Sequence, residues 1–293
     1  MSEIDWNTKL EYLIESRKSW FNLDYIEFLV KNIWHINKPI KVADFGCGNG
    51  FLGSVLLPLL PEGSSYTGFD KGTKLLVEAR EVFSKTSYKT EFIDCDLMTD
   101  IISEKYDLVI CQAFLMHIPR PERMLENMIK TVINGGLVIC IETNWNVGNA
   151  AMYIDGIDVD GHCNLGLLSK LWKKEKDEQE TDKCIGMKIP AMMQKAGLKD
   201  VSIRMNDCVR FTNPYADEIE YNRQLQTFLA DGWGHEMGDE EDYVQGLCKR
   251  GTTMEEAHLQ FQCEKEINEF VKKEKDSLMV LTIPPMFISF GTK

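Results

Sequence analysis

Three glycines at alternate positions, Gly46, Gly48 and Gly50, follow the run Val42-Ala43-Asp44-Phe45 and precede an apolar stretch that begins at Phe51. Glycine lets a backbone turn tightly and approach a ligand closely. A helix opened by such a turn offers unpaired N–H groups to an anion or a carboxylate. Asp70 stands 20 residues past Gly50, at the end of a second run, Ser65-Tyr66-Thr67-Gly68-Phe69-Asp70. In a doubly wound sheet a carboxylate at that point faces a ribose and can accept from both hydroxyls. The glycines alone would also suit a plain strand–helix junction; the pairing with Asp70 points to a ligand that carries a sugar.

A dinucleotide fingerprint reads G-x-G-x-x-G. Here Phe51 takes the place of its third glycine, and Asp44 precedes the first glycine by two residues. A carboxylate beside the turn would repel a pyrophosphate and attract a sulfonium or an ammonium. The residues therefore favour a cationic, ribose-bearing ligand over a nicotinamide dinucleotide.

The elements needed to position these groups alternate along the chain. Short strands are expected at about 40–45, 65–70, 88–94, 106–111 and 137–142. Helices fall between them, with Leu75, Leu76, Ala79, Val82 and Phe83 on one face of the second and Pro121 opening the fourth crossover. Such alternation implies a parallel sheet with right-handed crossovers and helices on both faces. Residues 3–36 read as two aromatic-rich helices. After Thr143 the alternation stops. Residues 145–185 and 213–277 read as helical insertions, with a strand between them at about 201–211 and a last one at about 278–290, which Pro284 and Pro285 interrupt. The expected division is a cap (1–37), a ligand-binding core (38–144), an insertion (145–185), a core continuation (186–212), a second insertion (213–277) and a closing strand (278–293). The three added pieces are expected over the carboxyl edge of the sheet.

Hydrophobic residues at 44% and charged residues at 27% describe a folded chain, which excludes disorder as the main state. A net charge of −13 and the absence of a basic tract disfavour nucleic acid as a substrate. The start has no basic and apolar leader, and no apolar run is long enough to cross a bilayer. Nine dispersed cysteines without a C-x-x-C pair fit reduced, buried side chains in the cytoplasm, and neither zinc nor a disulfide framework is expected.

Taken together, Val42-Ala43-Asp44-Phe45-Gly46-Cys47-Gly48-Asn49-Gly50, Gly68-Phe69-Asp70, Phe92-Ile93-Asp94-Cys95-Asp96-Leu97, Tyr106-Asp107-Leu108-Val109-Ile110, Leu115-Met116-His117-Ile118-Pro119 and Asn134-Gly135-Gly136-Leu137-Val138-Ile139 resemble the class I (Rossmann-like) S-adenosylmethionine-dependent methyltransferases. The similarity is to the group with the ubiquinone/menaquinone-biosynthesis and trans-aconitate types, over about residues 38–144. The resemblance implies an α/β fold with a seven-stranded sheet ordered 3-2-1-4-5-7-6, its last strand antiparallel. It implies that Gly46, Cys47, Gly48 and Gly50 line the methionine part of S-adenosylmethionine, with Asp44 behind them. Asp70 would hold the ribose and Lys71 flank the adenine. Asp96 would accept from the adenine amine with Leu97 against the ring, and Gln112 and Ala113 would border the methionyl chain. The two insertions depart from the pattern where acceptor-binding elements vary, so the acceptor is not implied.

Methyl transfer needs alignment first and, for some oxygen or carbon nucleophiles, a general base. His117, after the fourth strand, is the candidate base; a histidine there also suits a merely structural hydrogen bond. Asn144 and Trp145, with Asn146 beside them, follow the fifth strand and are candidates for the acceptor pocket. Tyr12, Trp20 and Tyr25 could form a lid over the ligand, although aromatic core packing explains them more simply. His162 and His235 read as lone histidines of the insertions. No His/Cys/Asp cluster has metal-ligand spacing. A small-molecule acceptor is the leading expectation. A protein or tRNA acceptor, a nicotinamide-dependent dehydrogenase and a non-catalytic binding module are the alternatives, and the oligomeric state is left open.

Overall fold

The computed structural model describes residues 6–8, 10, 13, 17, 20–159 and 165–293. Its centre is a sheet built from β1 (Lys41–Phe45), β2 (Ser65–Asp70), β3 (Lys89–Asp94), β4 (Tyr106–Gln112) and β5 (Val132–Thr143), with two strands from the end of the chain. Their spatial order is β3-β2-β1-β4-β5-β10-β7, where β7 is Lys199–Met205 and β10 is Met286–Thr292. Counting only the strands of this sheet, the order is 3-2-1-4-5-7-6. β1 to β5 are mutually parallel, and β10 runs antiparallel to both neighbours.

The period of two along each strand builds a core on both faces. Val42, Leu108, Ile110, Ile139, Ile141 and Ile288 point to one face. There they meet α1 (Leu23–Phe28), which runs on into a π turn at Leu29–Ile33, with α2 (Phe51–Leu56) and α3 (Thr73–Ser84). Ala43, Phe45, Val109, Cys111, Val138 and Cys140 point the other way, to α4 (Pro121–Thr131) and α7 (Ile189–Lys195). At Val132–Leu137 β5 bulges: Tyr106 pairs with Val132 but Leu108 with Leu137, the slack being taken up around Gly135 at φ +78°.

Two of the expected strands are each divided. The run at 201–211 breaks around the buried Asn206, whose side-chain amide donates to Trp20 O at 2.6 Å, and restarts as β8 (Arg210–Thr212). The run at 278–290 breaks at Pro284 and Pro285, which lack the N–H that a ladder needs, giving β9 (Val280–Thr282) and then β10. β8 and β9 join β6 (Met152–Ile154) in a separate antiparallel sheet of order β6-β9-β8. The second sheet corrects the picture of purely helical insertions. It packs its Ile154 and Val280 against Leu225 and Phe228 of α8 (Glu218–Ala230) and Ile267 and Val271 of α10 (Met254–Lys273). α6 (Leu165–Gln179) packs Leu167 and Leu171 on Val244 and Leu247 of α9 (Glu240–Lys249). The short α5 (Trp145–Ala150) follows directly on β5. No helix among the described residues is long and apolar enough to cross a membrane.

Candidate active site

The carboxyl ends of β1, β2, β4 and β5 converge on the glycine turn. Gly46, Gly48 and Gly50 take φ of +74°, +54° and +79°, a region that side chains rarely enter. The N–H groups of Gly46 and Cys47 both donate to Phe69 O, at 2.8 and 3.1 Å, and tie the turn to the end of β2. A methyl group on Gly46 would lie 2.3 Å from the Phe114 ring, so only glycine lets the loop after β4 close over this point. Cys47 is buried and packs its sulfur where a side chain on Gly68 would stand, which makes it a support of the turn.

Two carboxylates flank the turn in different surroundings. Asp70 is half-buried and accepts from Gly48 N–H at 2.8 Å and Gly72 N–H at 2.7 Å. Asp44 is 1% exposed; the Tyr66 hydroxyl donates to its Oδ2, and its Oδ1 has no partner. Burial pushes the Asp44 carboxyl up to about 7; the Tyr66 bond opposes the rise, Asp70 adds to it and Arg17 opposes it. Arg17 approaches from the N-terminal segment, with Nη1 3.8 Å from where a Gly48 side chain would begin and its guanidinium 5.8 Å from the Trp20 ring centre. Gln112 Nε2 and Asn49 Oδ1 are likewise buried without a partner. Unmatched buried polar atoms are rare in folded chains and mark places where a ligand's own donors and acceptors fit.

The loop after β4 is shaped by a carboxylate that sequence reasoning assigned no role. Glu142, fully buried near the end of β5, accepts from Phe114 N–H (3.0 Å) and Leu115 N–H (2.8 Å) at Oε1 and from Met116 N–H (3.3 Å) at Oε2. Burial pushes its carboxyl up to about 7, against the pull of these three bonds. The turn thus formed holds Ala113 at φ +47°, with its N–H on Ile141 O at 2.8 Å, and carries His117 on the next short helical turn. Lys183 Nζ lies 3.0 Å from His117 Nδ1 and 3.8 Å from Glu175 Oε1. Burial, then Lys183, then Arg17 push the imidazole down to about 3, so the ring is neutral near pH 7. Burial also lowers the Lys183 ammonium, against Glu175 and Glu142.

Other expected residues fall into place around this centre. Lys71 is exposed just past β2. Asp96 is exposed after β3; its Oδ1 accepts from Met98 N–H at 2.9 Å, while Leu97 is buried. Asn144 is buried at the end of β5, its N–H on Pro285 O at 2.9 Å and its Oδ1 unmatched. Trp145 is half-buried against the second core, with its N–H on Lys183 O. Trp20 and Tyr25 pack on the first core, and the Tyr25 hydroxyl donates to Met205 O at 3.2 Å, a packing role. His235 sits by Asn268 between the insertion helices. Tyr12 and His162 lie outside the described residues. No group of three potential metal ligands occurs among the described residues.

Arg17, Tyr66, Glu142 and Lys183 were not singled out by type and spacing. Glu142 had a signal: an acid closing an otherwise apolar strand must find donors. Lys183 lay inside a mixed charge run and had none.

Comparison with known proteins agrees with the geometry. The methyltransferase domain family matches residues 36–232. The ubiquinone biosynthesis O-methyltransferase of Aliivibrio fischeri is 30% identical over 120 residues, which are 40% of this chain and 50% of that protein; its counterpart in Vibrio cholerae is 31% identical over 120 residues, 40% and 48%. The chain thus spans about half the length of the curated relatives it matches. Among solved structures, phosphoethanolamine N-methyltransferase 2 of Haemonchus contortus, in complex with S-adenosyl-L-methionine, superposes with a TM-score of 0.55 at 12% identity, covering 100% of this chain and 60% of that one. The cyclase SpnF superposes with a TM-score of 0.51 at 12% identity, covering 98% and 94%. At such identities these two likenesses show the fold alone. With the family matched over two thirds of its length and the family's glycine turn and acid in place, the chain belongs to the methyltransferase domain family.

Proposed function

We propose that this chain is an S-adenosylmethionine-dependent methyltransferase acting on a small-molecule acceptor. The observation that carries the reading is the pair of carboxylates around the glycine turn. Asp70 presents a half-buried acceptor to a ribose, and Asp44 presents a fully buried oxygen with no partner where a cationic amino acid would be neutralised. Gly46, Cys47, Gly48 and Gly50 would line the methionine part, with Gln112 and Ala113 along it. Lys71, Asp96 and Leu97 would border the adenine.

When bound, S-adenosylmethionine supplies an activated methyl group. The chain's own task is alignment, which can lower a barrier by up to ~7–11 kcal/mol. In this reading the Glu142-held turn would form one wall of the pocket and bring His117 to the acceptor, with Asn144 and Trp145, at the end of β5, as further acceptor-pocket residues. The insertions would close the acceptor cavity, in the division at 145–185 and 213–277 drawn above. We also place the protein in the cytoplasm, which suits a chain whose described cysteines are all thiols. The relatives in Aliivibrio and Vibrio are O-methyltransferases by description, which favours an oxygen acceptor.

The test is calorimetric titration of the purified chain with S-adenosylmethionine and with its demethylated product. Binding of both at micromolar concentrations is expected. Absence of binding for both below millimolar would end the reading.

A further inference from the structure

Lys183 and His117 are 66 positions apart and meet side chain to side chain, Nζ to Nδ1 at 3.0 Å. An ammonium has three donors and no lone pair, so the bond runs from Lys183 into Nδ1. Burial lowers the Lys183 ammonium, and Glu175 at 3.8 Å, with both side chains about 15% exposed, and the buried Glu142 act against that lowering. A neutral imidazole carries one proton; with Nδ1 accepting, that proton is on Nε2. Burial and the positive charges of Lys183 and Arg17 keep the ring from taking a second.

The backbone around Lys183 is built to hold this contact. Asp182 N–H donates to Met116 O at 3.1 Å, and Lys183 O accepts from Thr143 Oγ1 and Trp145 N–H, each at 3.3 Å. Gly186 passes so close to β5 that a side chain there would lie 2.5 Å from Glu142 O. The segment 182–186 therefore clips the loops after β4 and β5 together, with the Lys183 side chain reaching the His117 imidazole.

We propose that Lys183 is a positioning residue that fixes His117 as the neutral tautomer with its proton on Nε2, so that His117 enters the acceptor chemistry as a hydrogen-bond donor and not as a proton-accepting base. The inference rests on the methyltransferase reading of this site and narrows its acceptor. A nucleophile served by a donor needs no proton removed by this histidine. A carboxylate or another oxyanion attacks with its own lone pair and leaves no proton behind. A neutral phenol or alcohol would require a base that this imidazole does not supply.

The experiment is nitrogen-15 NMR of histidine-labelled full-length chain without any ligand, with the His117 signals assigned by their loss in His117→Asn. The expected result is an Nε2-protonated neutral ring from pH 8 down to about pH 5. Lys183→Arg, which keeps a charged donor, should preserve that pattern. Lys183→Met should release Nδ1, mix the tautomers and raise the titration midpoint by roughly one pH unit or more, because a neighbouring positive charge has gone. A wild-type ring with its proton on Nδ1, or one already doubly protonated at pH 6, would overturn the proposal, and so would a Lys183→Met spectrum identical to wild type in a variant whose melting curve shows it folded. Should Lys183→Met fail to fold, the wild-type tautomer alone decides. The measurement contains no cofactor, so its outcome and that of the binding titration are independent.

Discussion

The Asp70 carboxylate reaches back across the strand order to accept the Gly48 N–H at 2.8 Å, while its other oxygen accepts the Gly72 N–H at 2.7 Å. One side chain therefore shapes the glycine turn and, in the proposed function, would also hold the ribose of the ligand. Hydrogen bonds to a charged acceptor are worth about 1.5–3 kcal/mol each. Asp70→Ala should lower S-adenosylmethionine affinity by roughly 100-fold or more in calorimetry, and Asp70→Asn should fall between it and wild type. Unchanged affinity in Asp70→Ala would remove the basis for placing the ligand here.

Asp44 should make ligand binding depend on pH. Its carboxyl, pushed up to about 7 by burial, is about half protonated at neutral pH in the free protein. A cation bound beside it favours the ionised form, so binding releases a proton. Affinity should rise as pH goes from 6 to 7 and level off above. Titrations in buffers of different ionisation enthalpy measure the released proton directly. Asp44→Asn should abolish the release, and Tyr66→Phe, which removes the donor that favours the ionised form, should shift the rise to higher pH.

Gly46 and Gly48 separate two reasons for a glycine. Both have positive φ, at which a side chain costs about 1–2 kcal/mol. Gly46→Ala adds a clash with the Phe114 ring at 2.3 Å, whereas the first neighbour of a methyl on Gly48 is Arg17 Nη1 at 3.8 Å. Thermal melts should therefore show Gly46→Ala destabilised several degrees beyond Gly48→Ala. Equal losses would mean that the Phe114 loop yields freely.

Glu142 should act on stability in two opposed ways. Glu142→Ala orphans the buried N–H groups of Phe114, Leu115 and Met116, at a cost of about 3 kcal/mol or more. Glu142→Gln keeps an acceptor but loses the titration. The folded carboxyl ionises at about 7 and the ordinary one at 4.5, so between these values the folded chain holds a proton that the unfolded chain has lost. Stability from this group accordingly falls as pH rises through that window, by on the order of 3 kcal/mol. Denaturant titrations should show a weaker decline from pH 5 to 7.5 in Glu142→Gln than in wild type; the same slope in both would contradict the assignment.

The main sheet was legible because each strand buried on both faces is continuously apolar and each helix shows one apolar stripe. Val109-Ile110-Cys111 are buried, as are Leu75, Leu76, Ala79 and Phe83, while Val82, expected on the same stripe, is exposed. The glycine turn was legible because its positive φ values favour glycine, and Asp70 because it ends the next strand. What escaped was decided by contacts between segments far apart in the chain. β6, three residues long, is too short for a period to register, and β8 and β9 were hidden inside longer expected strands; β6 and β8 each pair with β9. Lys183 looks like one more cation in a charged helix until the fold brings it beside His117, and Glu142 looks like the polar end of a strand until its three donors arrive.

The antiparallel strand that lies between β5 and β7 carries a consequence for how the chain reaches this state. Met286 pairs with Thr143, its partner 143 positions earlier, and the far edge of β10 pairs with Lys199–Met205. Pairings so distant in sequence form late, after the closure of long loops has been met by other contacts. Until β10 arrives, the apolar edge of β5, with Ile139 and Ile141, stands open to pairing with another molecule. Refolding from denaturant should then be slow and sensitive to protein concentration, with self-association competing during the interval before the slot is filled.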